Sequence, residues 1–161
     1  MKYQHTQVGK IILAIVILSL VASILSITVE DFSTYAPDWM DTTNWDVIGI
    51  VIVTFVYIIL LNMALLTIRV DKTNVSWHFG FGFPRNSLAI ADIETVKAVR
   101  NKWWYGFGIR RVFSGATIYN VEGLDAVELT TSEGKKIRLG SDDPKRLLKT
   151  ITALIDTREA A

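Results

Sequence analysis

The chain contains no cysteine, two histidines and three prolines in 161 residues. Without cysteine there is no disulfide, no thiol nucleophile and no cysteine metal site. His5 and His78 lie in different segments, so a paired-histidine centre is not expected. Nucleophile elbows, zinc motifs and phosphate loops are missing as well. The run Gly80-Phe81-Gly82-Phe83-Pro84 carries two glycines, yet no Lys-Ser/Thr pair follows and no helix opens there, so it reads as a turn. Asp142 and Asp143 precede a helix and read as capping residues before they read as acid-base groups. The expectation is a protein without catalysis of its own, with no cofactor, no metal and no nucleic-acid partner.

Two long stretches also lack charge. Ile11 to Val29 and Val47 to Ile68 hold no Asp, Glu, Lys or Arg. At 1.5 Å per residue, about 20 helical residues match the ~30 Å hydrocarbon thickness of a bilayer. Neither run has a polar face, and backbone amides in lipid must be satisfied within a helix. The pattern predicts an α-helical transmembrane hairpin over residues 1–68, with spans 11–29 and 47–68. Lys2 and Lys10 before Val21-Ala22-Ser23 loosely resemble a signal peptide, but the apolar run continues past that point.

The connector 30–46 lacks Lys and Arg and carries Glu30, Asp31, Asp38, Asp41 and Asp46. Lys2, Lys10, Arg69 and Lys72 flank the opposite ends. Basic flanks stay in the cytoplasm, which predicts a multi-pass protein of the bacterial inner membrane, N-in and C-in, with the acidic loop outside. Ser19, Ala22, Ser23 and Ser26 place small side chains along the first helix. Asn62 is a polar position of the second, expected to bond a neighbouring helix in this chain or another copy.

Beyond Leu66 the apolar residues alternate. Leu66, Ile68 and Val70, then Val75, Trp77 and Phe79, mark two strands joined at Asp71-Lys72-Thr73-Asn74. Ser87 to Asp92 reads as a connection and Ile93 to Arg100 as a strand. Ala116 to Val121 is a further strand. Val127 and Leu129, then Ile137 and Leu139, form a hairpin around Ser132-Glu133-Gly134-Lys135. Asp143 then caps a helix with Pro144 at its first position, and Leu147, Leu148, Ile151, Leu154 and Ile155 make one apolar stripe. The expectation is an α+β, mostly-β cytoplasmic domain over 66–157, with about seven strands in a bent antiparallel barrel or sandwich. A C-terminal amphipathic helix caps it, and residues 158–161 form a tail.

The segment WYGFGIRR (Trp104 to Arg111), followed by IYNVEGLDAVELTTSEGKKIRLGSDDPKRLLKTI (Ile118 to Ile151), resembles the bacterial pleckstrin-homology-like domain family. The residues carrying the resemblance are Gly106, Gly108, Ile109, Arg110, Tyr119, Val121, Gly123, Asp142, Asp143 and Pro144. It implies a bent seven-stranded sheet with a C-terminal helix, anchored by the short hairpin, and an interaction module rather than an enzyme.

Basic residues and aromatics interleave at Lys97, Arg100, Lys102, Trp103, Trp104, Tyr105, Arg110 and Arg111. Three functions follow as expectations. The first is a membrane-anchored interaction or assembly module with a protein partner or a second copy. The second is a sensor of anionic inner-leaflet lipid, using this basic-aromatic surface against the headgroups. The third is a regulatory subunit of a larger membrane complex, contacting its partners through the spans.

Overall fold

The computed structural model describes residues 3–29 and 42–159, and the side chains of 3–23 and 48–158. Among the described residues nine strands form two sheets. β1 (Tyr3–Val8), β2 (Leu65–Val70), β3 (Asn74–Phe79) and β4 (Arg85–Ala89) make an antiparallel four-stranded sheet in sequential order. β5 (Ile93–Arg100), β6 (Gly108–Arg111), β7 (Thr117–Asn120), β8 (Asp125–Thr131) and β9 (Lys136–Gly140) make a five-stranded sheet of order β5-β8-β9-β7-β6. Its β7–β9 pair is parallel and the others antiparallel.

The expected seven-stranded antiparallel module is corrected to these two sheets. The strands not named from the sequence are β1, β4 and β6. β1 pairs with β2 along its whole length, from Tyr3 opposite Val70 to Val8 opposite Leu65. Residues 3–8 therefore complete the sheet of the β module. Their inward positions are Tyr3, His5 and Gln7, a pattern with too little apolar alternation to read as a strand. Two of them reach distant partners: His5 Nε2 contacts the Asp142 carboxylate, and Gln7 Nε2 donates to Glu122 O at 2.8 Å.

The two sheets face each other across the core. Leu66, Ile68, Val70, Val75, Trp77 and Phe79 come from one, Val127, Leu129, Ile137 and Leu139 from the other. Alternation along each strand sends these residues to a single face. Tyr119 bridges the layers, its ring 5.3 Å from Trp77 and 6.4 Å from Phe79. α3 (Pro144–Glu159) adds Leu147, Ile151, Leu154 and Ile155 and lies against β5, β8 and the 3-10 turn Ile90–Asp92. Its start follows local chemistry. Asp143 Oδ1 accepts the Arg146 amide at 3.2 Å, and Pro144 occupies a position whose missing N–H costs nothing.

Between β1 and β2 the chain makes a helical excursion, α1 (Lys10–Val29) and α2 (Thr42–Met63), which return alongside each other. Among the described residues no helix is long and apolar enough to cross a membrane. The expected spans 11–29 and 47–68, the integral two-span membrane protein and its multi-pass placement in a bacterial inner membrane are corrected on this finding. The described side chains of the two helices nonetheless stand outward on several sides, with Leu18 68% and Phe55 63% exposed. The connector 30–41 and the acids in it lie outside the described residues.

Two glycines form the seam between helices and sheets. Gly9 donates its N–H to Ala64 O at 2.6 Å, and a Cβ there would come within 2.9 Å of Val121 O and 3.2 Å of Ala64 O. Gly80, at φ +28°, would place a Cβ 2.6 Å from Asn62 O. Both obstacles are backbone atoms that cannot swing aside. Gly9→Ala is expected to lower stability by about 1–3 kcal/mol, as overpacking does. Urea unfolding followed by tryptophan fluorescence measures it, and an unchanged midpoint would contradict this account of the seam.

Candidate functional site

β5 and β6 are consecutive in the chain but lie at opposite edges of the five-stranded sheet. The connection 101–107 must therefore pass from one edge to the other. Its first residue is anchored. Asn101 is buried, its N–H donates to Leu124 O at 2.7 Å, and its Oδ1 accepts Arg138 Nη1 at 3.3 Å.

Arg138 belongs to a row set by strand register. Lys97, Glu128 and Arg138 are direct neighbours across β5, β8 and β9, on the face opposite Val127 and Leu129. Glu128 is only 2% exposed. Its Oε2 accepts Arg138 Nε at 2.6 Å, and Lys97 Nζ lies 3.1 Å from its Oε1. Burial alone would raise the Glu128 carboxyl; the bonds and charges of Arg138 and Lys97 outweigh it and hold the group below its ordinary value. This row secures the start of the strap.

The strap then turns through a 3-10 segment, Trp103–Tyr105, and leaves its aromatics outside the core. Trp103 is 76% and Trp104 59% exposed. The two indoles meet edge to face at 5.7 Å, and Lys102 Nζ sits 5.0 Å from the Trp104 ring centroid, a cation-π distance. Tyr105 follows, half-buried, 6.2 Å from Trp104. Arg110 Nε donates to Phe107 O at 3.3 Å, which holds that side chain against the end of the strap. Ile109 and Phe113 add exposed apolar area at β6 and the turn after it.

The eight basic and aromatic candidates therefore do not form one patch. Lys102, Trp103, Trp104, Tyr105 and Arg110 belong to the strap or touch it. Lys97 is committed to Glu128. Alternation puts Arg100 on the face opposite Lys97 and Arg111 on the face opposite Arg110. The helix candidates divide as well. Ser23 Oγ lies 3.4 Å from Tyr57 OH on α2, and Ser19 Oγ bonds Val16 O within its own helix. Ala22 is exposed on α1, and the Ser26 side chain lies outside those described. Asn62 does not bond a helix: its Nδ2 donates to Phe83 O at 2.6 Å and its Oδ1 accepts the Phe81 amide at 2.8 Å, pinning the β3–β4 turn.

Asn101, Glu128, Arg138 and Phe113 were not among the candidates. Glu128 alternates between two valine- and leucine-type neighbours and reads as a solvated strand position, because register with β5 and β9 is not visible in local pattern. Among the described residues no group of three His, Asp or Glu side chains could hold a metal. The chain matches no protein-family model, no curated protein and no solved structure.

A depressed native pKa means that Glu128 stabilises the fold above its unfolded value of about 4.3 and that this contribution is lost as pH falls through the native value. Glu128→Gln is expected to cost about 1–3 kcal/mol at pH 7, since Arg138 loses its charged acceptor. It should also flatten the fall in stability below about pH 5. Urea titrations of both proteins between pH 7 and pH 3 measure the two effects; parallel curves would rule the carboxylate out as their source.

Proposed function

We propose that the chain is an interaction or assembly module without catalysis of its own, and that the strap 101–107 with the adjoining β6–β7 turn is its contact surface. The observation that carries this reading is the outward placement of Trp103, Trp104 and Phe113 on a frame anchored by the buried Asn101-Arg138-Glu128 row. Large aromatics held rigidly in solvent contribute nothing to the core, and they are the residue types that dominate contact energy in interfaces. The resemblance of the motif from Trp104 to Ile151 to bacterial pleckstrin-homology-like domains supports the same reading, since that family consists largely of interaction modules. The partner is a protein or a second copy.

A second reading assigns the strap to anionic lipid headgroups, as a peripheral contact. It is favoured by Lys102 and Arg110 beside the exposed indoles, each charge near such a surface contributing ~1 kcal/mol.

A photo-crosslinking residue at position 104 of the full chain, irradiated in cells, tests the first reading. Discrete adducts should form, and Trp103→Ala should abolish them while shifting stability by no more than about 0.5 kcal/mol. No adduct, or adducts indifferent to Trp103→Ala, would overturn it. For the second, Lys102→Gln with Arg110→Gln should reduce binding to phosphatidylglycerol vesicles relative to phosphatidylcholine vesicles; equal binding of variant and parent to both removes it.

A further inference from the structure

The outer face of the four-stranded sheet carries a different kind of surface. Gln4, Arg69, Ser76 and Ser87 stand in register across β1, β2, β3 and β4, and Thr6, Thr67, His78 and Arg85 form the next row. Alternation turns both rows away from Ile68, Val70, Val75 and Trp77, so every side chain in them is polar or cationic. Gln4, Arg69, Ser76, Arg85 and Ser87 line a groove of about 750 Å³ at the end of the sheet nearest the β2–β3 turn.

The groove is short of negative charge. Neither Arg69 nor Arg85 forms an ion pair among the described residues. Arg69 lies half-buried along the sheet, and its Nε is buried without a hydrogen-bond partner. A guanidinium N–H in that position is a donor held ready and unused, an arrangement that costs stability. Among the described residues Asp71 is the one carboxylate lining the groove, and it is engaged locally. Its Oδ1 accepts the Thr73 amide at 3.0 Å, the Thr73 hydroxyl at 3.2 Å and the Asn74 amide at 2.8 Å. Those amides hold its carboxyl below the ordinary value, so it stays anionic and folded into the turn.

We propose that this groove is a binding site for a phosphate-type oxyanion, with Arg69 and Arg85 supplying charge and Gln4, Ser76 and Ser87 supplying further hydrogen bonds. A planar carboxylate satisfies one guanidinium fork, whereas donors on four neighbouring strands are better matched by a tetrahedral anion with oxygens in several directions. The phosphate belongs to a soluble phosphomonoester or to a lipid headgroup, two sources with one recognition chemistry. The site is separate from the strap, which lies on the other sheet.

The test uses the full chain. Thermal unfolding is followed with inorganic phosphate or glycerol 3-phosphate against chloride and acetate at equal ionic strength, and sedimentation with phosphatidic acid vesicles against phosphatidylcholine vesicles. Stabilisation by the soluble phosphates points to a phosphomonoester. A preference for phosphatidic acid, competed by inorganic phosphate, points to a headgroup; both support the site. Arg85→Gln, at an exposed position, should weaken the effect at least about tenfold, the loss expected for a charged hydrogen-bond donor. Asp71→Asn, which keeps the turn acceptor and removes its charge, should strengthen it. Should Arg69→Gln fail to fold, these two variants still decide. The proposal is overturned if phosphate acts no differently from chloride and vesicle binding ignores headgroup charge, or if Arg85→Gln and Asp71→Asn both match the parent.

Discussion

The pairing of β1 with β2 is the constraint on which the rest of the structure depends. Val8 and Leu65 are register partners, so the helical excursion between them leaves and re-enters one sheet at adjacent strand ends. The closing contact is a single backbone bond, Gly9 N–H to Ala64 O, in a space that admits no side chain. A second tie, Asn62 to the turn at Phe81 and Phe83, fixes the end of α2 against β3 and β4. The helices are therefore built into the β module and do not hang from it by a linker.

The same strand continues the argument on the opposite side. β1 reaches the second sheet and the start of α3 through Gln7 with Glu122 and His5 with Asp142, while Arg146 lies over the Tyr3 ring. Three parts of the chain far apart in sequence thus converge on six residues near the N-terminus. Inside, the layers are joined by apolar packing and by the Trp77–Tyr119 edge contact. Outside, the two sheets differ chemically. One bears rows of hydroxyl, carboxamide and guanidinium groups. The other bears a buried carboxylate between two cations and, anchored to that row, a strap of aromatics.

The parts of this architecture legible in sequence were those governed by local periodicity. Strands at Leu66, Val75, Val127 and Ile137 show period-two alternation because one face of each is core and the other is not. The helix after Asp143 shows its cap, its proline and its stripe within a dozen residues. β4 was read as a connection because Arg85-Asn86-Ser87-Leu88-Ala89 has one large apolar residue, and its pairing with β3 supplies what its pattern lacks. β1 was hidden for a related reason, its inward His5 and Gln7 bonding groups more than a hundred residues away. The uncharged runs around Ile15 and Ile52 were legible as helices. The inference from those runs to membrane spans did not hold, as no described helix is long and apolar enough for a crossing.

For the candidate surfaces the division is similar. Composition alone singled out the Lys97 to Arg111 stretch, since clustered tryptophan and arginine are visible in any reading. Only folding decided that Lys97 neutralises Glu128, that Arg110 and Arg111 part to opposite faces, and that Arg69 and Arg85 share a groove. Sequence by itself determined the helices and the strands whose apolar residues alternate, because those follow from neighbours within a few residues. Register and sheet order determined which charges meet and which are left without a partner, because they bring together side chains whose separation along the chain carries no information about their distance in space.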